Sequence, residues 1–305
     1  MIEEKLKEEL ESVKSDKNRI IPLSSDIIFK NVFKRCESAL ITMIKDIFEL
    51  DEYNGKPITV IGYETISPKK DGKTYRSDLL ITLSDKSRVL VEMNNCNDEE
   101  VIDRNLVQLV RIHSDILPKG LEDIKLKEYR LKGINFNNFS NVTGQPIESY
   151  AFCNIKTGKI ITMMYNFCNV DIEKCYNLVY DIGIDKLPKA VRWGAILKEE
   201  NLGKISDILG DDMLTMEEKE EFLDTINVVN NDDGILDDWF LDELAKHKAR
   251  CQRDYAKKEG RVEGIEDTKV ELVKNMLIKK YTYDDIYELT GKTIDEIKAI
   301  ESNME

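Results

Sequence analysis

With 305 residues, 41% hydrophobic and 34% charged, the chain can form one large domain or two modest ones, and its composition is that of a globular protein with a heavily charged surface. No apolar run approaches the roughly 20 residues that span a bilayer, and the opening MIEEKLKEELESVKSDKNR is too charged for a secretory signal, so a cytoplasmic protein is expected. A net charge of −14 speaks against nucleic acid as a partner until its distribution is read: residues 199–243 hold sixteen acidic side chains against Lys204 and Lys219, which leaves the rest near neutral and free to form a phosphate-binding face.

In chain order, residues 1–18 alternate Glu and Lys around Leu6 and Leu10 and form a charged tail, either a solvated helix or a frayed end. Ser24, Ser25 and Asp26 precede Ile27, Ile28, Phe29, Val32 and Phe33, which predicts a helix from about Asp26 that pauses near Cys36. A second helix follows over Ala39–Leu50 and ends at Asn54-Gly55 and Pro57. Strands are predicted over Ile58–Ile66, Tyr75–Leu83 and Arg88–Met93, and their short links favour antiparallel neighbours. Asp98–Ile116 reads as a helix with Ile102, Leu106, Leu109, Val110 and Ile116 inside, and Arg104, Gln108 and Arg111 along one side. Lys127–Phe136 and Tyr150–Phe167 read as further strands, the latter folded at Gly158. From Asp171 the pattern is helical. It runs through the acidic block and a basic helix, Lys246–Arg261, then past Gly260 and Gly264 to Val270–Ile278. Thr282 and Thr293 each open a short helix; the second is too acidic to read bases, so self-association or tail packing is the expected role of this end. Cys36, Cys96, Cys153, Cys168, Cys175 and Cys251 form no CxxC pair and the only histidines are His113 and His247, so no zinc site of ordinary spacing is expected.

The stretch YRSDLLITLSDKSRVLVEMNN, Tyr75–Asn95, carries the chemistry. Asp78 stands at the start of one apolar run and Glu92 with Asn94 at the end of the next, so a hairpin delivers two carboxylates to neighbouring strand ends. The flanking residues are apolar on both faces, and a buried carboxylate needs a partner. Either a cation binds, one acid takes a proton, or each acid pairs with a nearby base such as Arg76 or Arg88. Mg²⁺ suits the first alternative: it takes oxygen ligands and asks a protein for one or two carboxylates.

The run Asp78…Glu92-Met93-Asn94 resembles the PD-(D/E)XK nuclease motif. More narrowly, the chain is similar to the PD-(D/E)XK nuclease family transposases, also called recombination-promoting nucleases. The helix DIIFKNVF (Asp26–Phe33), an arginine (Arg104) on the helix after the motif, and the tail YAKKEGRVEG (Tyr255–Gly264) before paired helices carry the rest of the likeness. The resemblance implies an α/β, restriction-endonuclease-like core: a mixed β-sheet flanked by helices over residues 19–170, an acidic helical extension over 171–244 and a helical tail over 245–305. It implies an Mg²⁺- or Mn²⁺-dependent DNA endonuclease associated with mobile elements or recombination. Asp78 and Glu92 would be metal ligands, with the Met93 carbonyl as a third oxygen. Asn94 stands where the general motif has a lysine, and residue 77 is Ser where it has Pro. An amide can orient a water but cannot act as a base or carry positive charge. Asp26 would be an auxiliary acid, and Arg104 or Gln108 a contact to phosphate or to the ligands. A nuclease-like protein that binds DNA without cutting, and an acidic scaffold with structural carboxylates, are the alternatives.

Overall fold

Helical period accounts for the first elements. The computed structural model describes residues 2–50, 52–53, 56–57, 59–64, 79–95, 101–116 and 129–304. Helix α1 (Ile2–Ser15) is charged along most of its surface but buries Leu6 and Val13. Helices α2 (Asp26–Arg35) and α3 (Glu37–Phe48) are separated at Cys36, whose φ of −116° and ψ of 84° break the helical path. The stripes Ile28, Phe29, Val32, Phe33 and Ala39, Leu40, Met43, Ile44, Ile47 are buried, as their three- and four-residue spacing dictates.

Strands β1 (Glu52–Tyr53) and β2 (Lys56–Pro57) form a small ribbon of their own. The main sheet has six strands: β3 (Val60–Glu64), β4 (Leu79–Leu83), β5 (Arg88–Asn94), β6 (Leu131–Asn137), β7 (Ile147–Cys153) and β8 (Ile160–Asp171), in the order β3-β4-β5-β6-β8-β7. The first three are antiparallel, as their short links predict; β5, β6 and β8 are parallel, and β7 returns antiparallel to β8 across a turn with Gly158 at φ +68°. Several expected strand limits move: the strand anticipated over 127–136 begins at Leu131 and extends to Asn137, and the pair anticipated over 150–167 begins at Ile147 and continues to Asp171. Asn137, Asn169 and Asp171 among the added residues are polar, and hydropathy alone gives no reason to continue a strand through them. Ile58, Thr65, Ile66 and residues 75–78 lie outside the described residues.

Helix α4 (Val101–Ile116) covers one face of the sheet, where Leu80, Leu90, Leu131, Leu109 and Ile112 form an apolar cluster. A Cβ on Gly133 would sit 3.1 Å from Leu109, so the missing side chain lets the helix settle onto β6. The opposite face meets α2, with the Phe29 and Phe136 rings 6.0 Å apart. It also meets α5 (Ile172–Ile182) and α6 (Lys189–Lys198). Gly194 is the tight point there: a Cβ would lie 2.7 Å from Cys175 Sγ and 3.0 Å from Val170. Gly194→Ala is therefore expected to cost about 1–3 kcal/mol despite the better helix propensity of alanine; thermal unfolding checks it, and an unchanged midpoint would show that the contact relaxes freely.

Helix α7 (Leu202–Leu209) and the acidic helix α8 (Met216–Asn230) turn their apolar stripes inward. Phe222 is fully buried, its ring 5.7 Å from that of Phe33 and 5.9 Å from that of Trp193. Arg192, 4% exposed, donates to the Ile208 and Leu209 carbonyls at 2.7 and 2.5 Å and to Asp212 at 2.8 Å. It supplies a positive charge to the C-terminal carbonyls of α7.

Two compact units are present, Met1–Phe240 and Leu241–Glu305. Helix α9 (Asp233–Ile278) is continuous, where the sequence suggested separate helices joined at Gly260 and Gly264. Neither glycine adopts positive φ. A glycine inside a helix costs only about 1 kcal/mol and ends one only when a left-handed cap forms. In the second unit, α10 (Tyr283–Thr290) and α11 (Ile294–Ser302) begin with capping boxes at Thr282 and Thr293, as their sequence predicts, and Val273, Met276, Ile286 and Ile297 form its core. Among the described residues no helix is long and apolar enough to cross a membrane.

Candidate active site

On the face under α4 the parallel strands carry Leu90, Leu131 and Phe167 before their last residues, and there the chemistry changes. Strand β5 ends Glu92-Met93-Asn94, β6 ends Asn135-Phe136-Asn137 and β8 ends Asn169-Val170-Asp171. The register aligns them: Glu92 with Asn135 and Asn169, then Asn94 with Asn137 and Asp171. Period-two alternation puts these six polar side chains on the face under α4 and leaves Met93, Phe136 and Val170 on the other. This polar-apolar-polar ending, written three times in the chain, is the signal in the sequence that marks the belt.

Glu92 is 8% exposed, and Gln108 Nε2 of α4 donates to its Oε1 at 2.7 Å. Gln108 itself is buried, so α4 fixes the direction of the carboxylate. The neighbouring α4 residue Asn105 donates to Asn135 at 3.0 Å, and Asn135 donates to Asn169 at 2.8 Å. Farther along, Glu148 accepts from Tyr150 and from the hydroxyl and amide of Thr143. Burial works to raise the Glu148 carboxyl, but these donors outweigh it and hold the group below the usual range; burial and Glu148 together push Tyr150 up to about 12.

These contacts revise the expected inner face of α4. Val101, Asn105, Gln108, Leu109, Ile112 and His113 are buried, Ile102 and Leu106 only half so, and Val110 is 52% exposed. The side chain of Ile116 lies outside the described residues. The helix lies over the polar strand ends, so its buried stripe must carry amides, and a search for hydrophobic spacing rotates it wrongly. For the same reason the expected row Arg104, Gln108, Arg111 divides: Gln108 turns inward and both arginines are exposed.

Asp26 comes close to the strand end. Asn95, just past β5, donates from Nδ2 to Asp26 Oδ1 and to the Ser24 carbonyl, both at 3.2 Å, and accepts from Asn138 at 2.7 Å. The N-cap residue of α2 is Ser25, which makes no side-chain cap bond, and Asp26 stands in the first turn. Ser25 Oγ is buried and without a hydrogen-bond partner among the described residues. Asp78 lies outside the described residues. The register pairs Leu79, the residue after it, with Val91, the residue before Glu92.

The donor set is carboxylate and amide oxygen, without imidazole or thiolate, which suits a hard divalent cation. Among the described residues no three of His, Cys, Asp or Glu stand close enough together to hold a metal.

The family described as PD-(D/E)XK nuclease family transposase matches residues 23–247. The chain belongs to that family. No curated protein and no solved structure matches it. The match takes in the whole sheet and α2 to α8, and the mixed sheet flanked by helices is the restriction-endonuclease-like α/β fold. PD-(D/E)XK nucleases generally use divalent metals, and membership links the chain to a nuclease of mobile elements. The family match ends at residue 247, so most of α9 and all of α10 and α11 lie beyond it.

Proposed function

We propose that this PD-(D/E)XK family member is an Mg²⁺- or Mn²⁺-dependent DNA endonuclease that hydrolyses phosphodiesters, with Asp78 and Glu92 as metal ligands and the Met93 carbonyl as a third oxygen. The observation that carries the reading is Glu92: a carboxylate buried at a strand end, held by Gln108, in a register that brings the start of β4 alongside. When bound, the cation would lower the pKa of a coordinated water and take up charge on the scissile phosphate. Gln108 aims Glu92. Asp26 stands beside the end of β5 through Asn95 and supplies auxiliary negative charge, and Arg104, exposed on α4, is placed to meet phosphate from solution. We assign the nuclease core to residues 19–170, the acidic helices to 171–244 and self-association to the tail from 245. The cytoplasm is the proposed compartment.

A second reading, a DNA-binding or assembly protein that does not cut, is favoured by Asn94 in place of a lysine. Nicking of supercoiled plasmid with Mg²⁺ or Mn²⁺, compared with Asp78→Ala and Glu92→Ala, separates the two. Metal-dependent cutting lost in both variants supports the nuclease; equal cutting by all three rejects the assignment. No cutting by any of them, with salt-sensitive DNA binding retained, favours the second reading.

A further inference from the structure

The orientation of Asn94 is fixed from a distance. Asn141 donates from Nδ2 to two main-chain carbonyls, those of Gln145 and Asn169, each at 3.0 Å. A carbonyl can only accept, so the NH₂ end of Asn141 must face them. Its Oδ1 is thereby turned to Asn137, and accepts from Asn137 Nδ2 at 3.3 Å. Asn137 then presents its own Oδ1 to β5, where it accepts from Asn94 Nδ2 at 2.9 Å. A single flip in this row would set NH₂ against NH₂ or oxygen against oxygen. Water cannot readily step in, because Asn94, Asn137 and Asn141 are only 6%, 2% and 7% exposed. The nitrogen of Asn94 is thus committed toward β6. Its Oδ1 is the end left over, on the face it shares with Glu92, and among the described residues no donor meets it.

We infer that Asn94 meets the cation with its carbonyl oxygen, and that Asn137 and Asn141 are positioning residues that hold it so. The inference rests on the reading of Glu92 as a metal ligand and adds to it. Lysine at this place would bring a charge and N–H donors; the amide, locked in this sense, brings a hard oxygen of the kind Mg²⁺ accepts. The position contributes to holding the metal rather than to donating a proton or a charge.

The test is Mn²⁺ titration of the full chain, read as loss of the free-ion paramagnetic resonance signal, with circular dichroism to confirm folding. Asn137→Ala frees Asn94 to turn and should weaken Mn²⁺ binding about tenfold, the usual scale for a group that orients a ligand. Asn137→Asp still accepts from Asn94 but cannot donate to Asn141; it should bind within about twofold of the unaltered chain or more tightly. A merely structural role predicts equal loss in both, since both changes break the row. In an Asn94→Ala background Asn137→Asp should restore nothing; recovery there would mean that added charge alone acts, and overturns the inference. Equal binding by Asn137→Ala and the unaltered chain also overturns it, as does equal loss in Asn137→Ala and Asn137→Asp. Glu92→Gln is the control: if it leaves Mn²⁺ affinity unchanged, the metal reading fails and this inference with it, whereas loss in Glu92→Gln with none in Asn137→Ala removes the inference alone.

Discussion

Glu92→Gln is expected to lower metal-dependent plasmid nicking by at least about a hundredfold while the fold is kept. Glutamine has the same shape and can still meet the Gln108 side chain that now donates to Oε1 at 2.7 Å. What it lacks is the negative charge that holds a divalent ion. A bound ion contributes several kcal/mol to the charged transition state, and a loss of about 2.7 kcal/mol already corresponds to a hundredfold in rate. Asp78→Asn should behave alike, and the double variant should be little worse than either single one, because two ligands of one ion act as a unit. DNA binding without metal should survive or tighten, since a negative charge facing phosphate has been removed. Full activity in Glu92→Gln would falsify the site. Loss of nicking that came with a collapsed melting transition would show only that Glu92 holds the sheet together.

Phe222→Ala should destabilise the first unit by about 3–5 kcal/mol, the range for truncating a buried aromatic side chain. Its ring is fully buried between Phe33 of α2 and Trp193 of α6, so the residual cavity would lie where three helices meet. For a unit of this size each kcal/mol lowers the midpoint by about 2–4 °C, which predicts a fall of roughly 10 °C. The transition monitored by near-ultraviolet signals of the core should move with the helical signal. If the helical signal shifted and the core transition stayed in place, the acidic helix α8 would be energetically separate from the sheet. The result bears on whether a division after residue 170 is one of folding or of sequence alone.

Particular elements show where the sequence was legible. The helix pair α2 and α3, the antiparallel run β3-β4-β5 and the caps at Thr282 and Thr293 follow from spacing and cap residues, because each is settled by interactions within a few residues. Glu92 could be singled out because a charge closing an apolar strand conflicts with its surroundings. Asn137, Asn141 and Asn169 could not, since an asparagine in an isolated reading is equally a turn residue. They acquire meaning only when β5, β6 and β8 lie in register and their amides can answer one another. The inner face of α4 was misjudged for a related reason: amphipathic spacing finds the side that avoids water, and α4 lies on a partner that is itself polar at that end.

By itself the sequence determined the class of fold and the family, because these are written in local periodicity and in the order of short motifs. The tertiary structure alone decided which way α4 turns, that helix α8 buries an aromatic ring against the core, and which end of the Asn94 amide Asn137 engages. Those outcomes depend on residues distant in the chain meeting across strands and helices, and hydrogen bonds between amides have a direction that no spacing rule encodes.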